Sequence, residues 1–161
     1  MATPNENTAR AYNDLVEINK TGAKGYQEAA EGVSNPQLKS ELSRLSQQRA
    51  QFASELTQQA SQFGLNVTEG NTAEGLLTDA AAAVHHGWIN IKSAITGQNE
   101  TAILGECETG DSVALKAYET ALSAGLPAQA QSVIEQQRSE ILEAKNKITQ
   151  LKGQIGKVIS N

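Results

Sequence analysis

Residues 36–63 read PQLKSELSRLSQQRAQFASELTQQASQF. Leu38, Leu42, Leu45, Arg49, Phe52, Leu56, Gln59 and Phe63 recur at alternating spacings of four and three, which puts them on one face of a helix. Arg49 and Gln59 interrupt an otherwise apolar seam. Asn35-Pro36 opens the run with a capping side chain and a proline suited to the first turn, and Gly64 follows it where a left-handed cap residue belongs.

The same signature recurs along the chain. Ile134, Gln137, Ile141, Ala144, Ile148, Leu151, Ile155 and Val158 repeat the spacing near the C-terminus, with Gln137 as the polar exception. Leu104, Cys107, Asp111, Ala114, Tyr118 and Ala121 form a third seam, and Tyr12, Leu15 or Val16, Asn19, Ala23, Tyr26, Ala30 and Val33 a looser first one. Leu77, Ala81, Val84, Trp88, Ile91 and Ile95 suggest a further helix between the second and third long ones. Thr3-Pro4-Asn5-Glu6 has capping-box form, Pro127 suits a first helical turn, and Gly97 and Gly125 mark ends. Helices are therefore expected over about 4–33, 36–63, 76–96, 99–124 and 127–159, in a single helical domain spanning 1–161. No strand-length alternation occurs, so the fold class is all-α. Two short-linked hairpins joined by a long crossover make a four-helix bundle with one extra short helix in the crossover.

Composition agrees and excludes several roles. Of 161 residues, 39% are hydrophobic but only 4% aromatic, which suits close-packed helices built from small aliphatic side chains. With 13 Lys+Arg against 18 Asp+Glu, the net charge of −5 and the lack of a basic cluster argue against nucleic acid as partner. No apolar run approaches bilayer length and MATPNENTAR lacks signal-peptide layout, so neither membrane association nor export is expected and the cytoplasm is the default location. The lone Cys107 has no zinc-type partners and reads as a small core residue.

Asn13-Asp14-Leu15-Val16-Glu17-Ile18-Asn19-Lys20 and the stretch from Ala102 to Leu122, AILGECETGDSVALKAYETAL, resemble members of the ferritin-like superfamily. More closely, they are similar to an uncharacterised, mostly proteobacterial family of ferritin-like proteins. The resemblance spans nearly the whole chain and implies a bacterial, stress-linked protein of unknown function. In ferritin-like metal proteins a Glu precedes a Tyr by seven residues in the first helix, and an E-x-x-H pair follows in the second, the arrangement repeating in the second hairpin. Here Asn19 precedes Tyr26 by seven, and Asp111 precedes Tyr118 by seven. The second-helix positions fall on Arg49 and Phe52, and the fourth-helix positions near Gln137, Ile141 and Ala144. Most of the ligands that the resemblance implies are absent, so no metal and no other cofactor is expected.

A buried arginine requires a partner in its own layer, and Asp111 is the expected one. Asn19, Tyr26, Arg49, Asp111, Tyr118 and Gln137 are thus expected to form an interior polar cluster in place of a metal site; the bland alternative has Arg49 snorkelling outward along its stem. A rival reading takes iron or manganese on Glu28, Glu55, Glu108 and Asp111, as an oxidoreductase or iron-handling protein would. Glu106, Glu108 and Asp111, or His85-His86 beside Trp88, read equally as ordinary helix exterior. Gly22, Gly25 and Gly32 suggest close helix packing. No nucleophile–base pair, phosphate loop or dinucleotide fingerprint is present, so the chain reads as non-catalytic, with a structural or interaction role. The apolar C-terminal positions Ile155, Val158 and Ile159 and the Trp88 helix call for a cover, hence an expected homodimer or higher homo-oligomer.

Overall fold

The structure, a computed structural model, describes residues 4–65, 86–88 and 90–160, and the side chains of 8–65, 86–88 and 90–155. Among the described residues there are five helices and no strand: α1 Pro4–Gly32, α2 Pro36–Gln62, α3 Ile91–Thr96, α4 Glu100–Leu122 and α5 Ala128–Ser160. The proline and asparagine signals act as chemistry demands. Asn35 keeps an extended backbone and its side chain accepts from the N–H groups of Gln37 and Leu38, two donors that have no carbonyl in the first turn of α2. Asn99 caps α4 in the same manner by accepting from Ala102 N. Gly64 and Gly125 close their helices at φ of 72° and 74°, where a Cβ would be strained. Gly97 does not; its φ is −74° and Gln98 takes the left-handed conformation instead. The proposed capping box at Thr3–Glu6 lies outside the described side chains.

Cross-helix hydrogen bonds and ion pairs give the helix directions. Ser46 Oγ donates to Ala23 O and Tyr12 OH donates to Gln59, so α1 and α2 are antiparallel. Tyr26 meets Asp111 where Asn19 meets Tyr118, so α1 and α4 are antiparallel too. Lys147 pairs with Glu41 while Gln137 reaches Phe52, and Arg138 pairs with Glu119 while Thr149 reaches Glu108, which sets α5 antiparallel to both α2 and α4. Each long helix therefore has two antiparallel neighbours, and α2 and α4 face one another across the diagonal. The first turn of α4 lies beside the α1–α2 turn, where Glu100 Oε2 accepts from Ser34 N and Asn35 N. The end of α2 is a full helix length away, roughly 40 Å at 1.5 Å per residue.

The expected helix over 76–96 is corrected in its described part. Residues 66–85 and 89 lie outside the described set, and the chain turns at Trp88 and Asn90 before α3 begins. A 4,3 spacing reports which residues face the bundle and survives a one-turn break, so Trp88 and Ile91 are buried although the helix is not continuous. Trp88 enters a slot made by glycines. A Cβ on Gly25 of α1 or on Gly110 of α4 would fall 2.4 or 2.3 Å from the indole, and one on Gly32 would fall 2.6 Å from Ile95. The indole meets the Tyr26 ring edge-on at 5.1 Å between centroids. Trp88 is thus covered within the chain, and Leu151 and Ile155 pack against the core. Val158 and Ile159 lie beyond the described side chains, and among those described only Leu142 is an exposed large hydrophobic residue. Among the described residues, no helix is long and apolar enough to cross a membrane.

Replacing Asn35 with Ala leaves both capped donors to water. Urea unfolding should show a loss of about 1 kcal/mol for Asn35→Ala, and a loss below a few tenths would show that the cap is not holding the α1–α2 turn.

Candidate functional site

The seams of the four long helices bring six polar side chains into the middle of the bundle. Arg49 of α2 is 2% exposed, and Asp111 of α4, Asn19 of α1 and Gln137 of α5 are each 1% exposed. Tyr26 and Tyr118 are fully buried. They form two connected sets, one ionic and one neutral.

In the ionic set, Arg49 Nη1 donates to Asp111 Oδ1 at 2.6 Å and Nη2 to Oδ2 at 3.3 Å, a two-pronged contact from α2 to α4. Tyr26 OH donates to Oδ2 of the same carboxylate at 2.5 Å. The guanidinium carbon lies 5.1 Å from the centroid of the Tyr26 ring, and Arg49 Nε donates to Gln48 Oε1 at 3.1 Å. The Arg49 stem runs past Gly22, where a Cβ would meet it at 3.7 Å, an ordinary van der Waals contact.

In the neutral set, Asn19 Nδ2 donates to Leu15 O at 2.8 Å and to Tyr118 OH at 2.7 Å. Tyr118 OH donates onward to Gln137 Oε1 at 2.8 Å, and Gln137 Nε2 to Phe52 O at 3.4 Å. That chain runs α1, α4, α5, α2 and so ties all four long helices. No buried side-chain nitrogen or oxygen in either set lacks a partner. This is the condition for a buried polar layer to be tolerated at all.

The protonation states follow from the same geometry. Burial pulls the Arg49 guanidinium toward neutrality, but Asp111 and the Tyr26 and Tyr118 phenols outweigh it, and its pKa lies above the ordinary arginine value. Burial, with the Asp111 charge added, pushes Tyr26 well above 10.0, so it remains a donor. Burial likewise raises Tyr118, lifts Tyr12 to about 12 and holds the Cys107 thiol well above 9.0. Cys107 is accordingly an inert, fully buried thiol.

The carboxylates of the rival metal reading are dispersed. Glu55 is exposed, while Glu108 accepts from Thr149 and pairs with Lys152 of α5. Glu28 lines a cleft beside Trp88, and both Asp111 oxygens are taken by Arg49 and Tyr26. Among the described residues no group of three or more His, Cys, Asp and Glu side chains is arranged to hold a metal ion. A pair of redox metals needs converging carboxylates and imidazoles, and the donor set around Asp111 does not fit one. His86 is exposed, and His85 lies outside the described residues. Trp88 and Gly110, which seal this centre, were visible in the sequence only as a seam residue and an unremarked glycine. What could have signalled them is that Gly110 directly precedes Asp111, at a helix position where a glycine weakens the helix without evident local reason.

Two outcomes test the centre. Arg49→Met and Asp111→Leu should each lower stability by about 3–5 kcal/mol, because each strands a buried charge. Combined with Tyr26→Phe, which removes the phenol that would otherwise lose its acceptor, they should return to within about 2 kcal/mol of the parent. Additive losses in urea unfolding would show that the three do not act as one unit. The second outcome concerns alkali. Tyr12, Tyr26, Tyr118 and Cys107 all have folded pKa values above their unfolded ones, so the native state holds more protons than the unfolded state in base. The stability they contribute is complete below about pH 9 and falls as pH rises, by up to about 1.4 kcal/mol per pH unit for each group. Tyrosinate absorbance should appear together with loss of helical circular dichroism; tyrosinate forming in a fully helical protein would contradict the burial.

No curated protein matches the sequence. Residues 7–124, from early α1 to just past α4, match the family described as a domain of unknown function, DUF2383, and the chain belongs to that family.

Proposed function

We propose that this protein is a ferritin-like four-helix bundle of hairpin, long crossover and hairpin, whose role is structural or interactive rather than catalytic. In this reading the cluster of Asn19, Tyr26, Arg49, Asp111, Tyr118 and Gln137 stands where metal-binding relatives carry their ligands. The observation that supports it is the two-pronged Arg49–Asp111 contact. A guanidinium is a permanent cation that meets the carboxylate's charge without open coordination, so nothing is presented to a substrate. The interactions of such a protein lie on its outer surface. Self-association as a homodimer or higher homo-oligomer belongs to the same proposal.

Elemental analysis tests it. Protein purified without chelator and then offered Fe(II), Mn(II) and Zn(II) should retain far less than one ion per chain. Retention of about one or two ions per chain would overturn the reading and place the protein among metal-dependent oxidoreductases or iron stores.

A further inference from the structure

We propose that Trp88 and α3 form a strap that undocks from the bundle as one unit and thereby admits water to the Tyr26–Asp111 bond. Trp88 and Ile91 are buried, the indole sits in the slot between Gly25 and Gly110, and Ile95 rests on Gly32. The strap's hydrogen bonds are internal: Ile91 N donates to Trp88 O, Ala94 N to Asn90 O, Gly97 N to Ser93 O and Thr96 Oγ1 to Lys92 O. Among the described residues, no hydrogen bond or ion pair ties Trp88 or α3 to any long helix. The four long helices, in contrast, are tied to one another by buried polar bonds.

That difference sets the order of opening. Lifting the strap re-exposes Trp88, Ile91 and Ile95 but breaks no polar contact with the bundle, whereas parting two long helices strands buried polar groups and ions as well. The docked state also holds strain where α3 meets α4. Gln98 has a φ of 54°, in the left-handed region that a side chain disfavours, directly before the Asn99 cap. Undocking releases Gln98, while the bond from Ala102 N to the Asn99 side chain keeps the start of α4 in place. Beneath the strap lie the Tyr26 ring, 5.1 Å from the indole between centroids, and Asp111, the residue after Gly110. With the indole withdrawn, these are the first buried polar side chains to meet water. Tyr118, held between Asn19 and Gln137, stays covered.

Hydrogen exchange on the full-length parent protein tests the strap without any substitution. The amides of Ile91, Ala94 and Gly97 should exchange at least about ten-fold faster than those in the middle of α1 and α4, as a sub-global opening requires. Trp88 is the chain's single tryptophan, so its fluorescence reads the other end of the strap. Ile95→Ala should raise the acrylamide quenching constant of Trp88 about two-fold or more, because the two ends open together. Fraying of α3 alone would leave Trp88 as shielded as in the parent. Gly25→Ala holds the strap open, since the new Cβ falls on the indole, and alanine, the better helix former, does not weaken α1 itself. In that variant Trp88 emission should move to longer wavelength with helical circular dichroism retained, and hydroxyl-radical footprinting should oxidise Tyr26 but not Tyr118. The proposal is overturned by α3 amides that exchange in step with the long helices, by Trp88 quenching unchanged in Ile95→Ala, by Tyr26 protected in Gly25→Ala, or by Gly25→Ala unfolding the whole bundle.

Discussion

The Arg49–Asp111 contact spans the diagonal of the bundle, and much of the interior is arranged to permit it. Helices on a diagonal are too far apart for short side chains to meet, so one partner must be long and its path must be kept open. The Arg49 stem passes along Gly22, and the Tyr26 ring lies under the guanidinium. The contact is then closed on the remaining side by the Tyr26 hydroxyl, which takes up the second carboxylate oxygen. Burial alone would expel a charge of either sign, so neither residue is tolerable without the other. The carboxylate accepts three bonds, from two helices, and its own helix contributes none of them.

Trp88 extends that arrangement to the connection between α2 and α4. Its indole lies against Gly25 and Gly110, one residue before Tyr26 on α1 and one before Asp111 on α4. The segment that carries it therefore docks at the level of the ion pair rather than at an arbitrary height. Gly87 comes close as well: a Cβ there would lie 3.2 Å from the Gly110 Cα. Such an approach keeps water away from the Tyr26–Asp111 bond, which raises the electrostatic worth of every contact beneath it.

Much of this was legible before any coordinates, and for a definite reason. A 4,3 spacing places a residue on the inner face whatever its chemistry, so Arg49, Asp111, Asn19 and Gln137 could be assigned to the interior from their neighbours in the seam. Charge neutrality then selects Asp111 for Arg49, since it is the acidic residue standing in a seam. What spacing cannot convey is angle and continuity. It ran α3 back through Trp88 into one long helix, because a single-turn break leaves the seam in phase. It also could not assign Gly110, whose purpose lies in a neighbour more than twenty residues away in the chain. The capping role assigned to Gly97 failed for a local reason: the αL position fell one residue later, on Gln98, in a turn too short to show in the punctuation.

The two polar sets also settle a problem that small aliphatic seams create. Side chains such as Ala30, Ala114, Ala121 and Ala144 fit many partners almost equally well, so apolar packing alone would allow a helix to slide by a heptad at little loss. A polar layer removes that tolerance. Sliding α5 by one heptad would bring Ala130 or Ala144 to Tyr118, leaving a buried hydroxyl without its acceptor. Sliding α2 would strand both members of the ion pair. The penalty is charged only to the wrong registers, because in the native one every buried side-chain donor and acceptor of the two sets is answered. On this argument the centre acts on the gap between the native arrangement and its competitors more than on absolute stability. That also explains why it lies midway along the helices, where no slip can leave it at a solvated end.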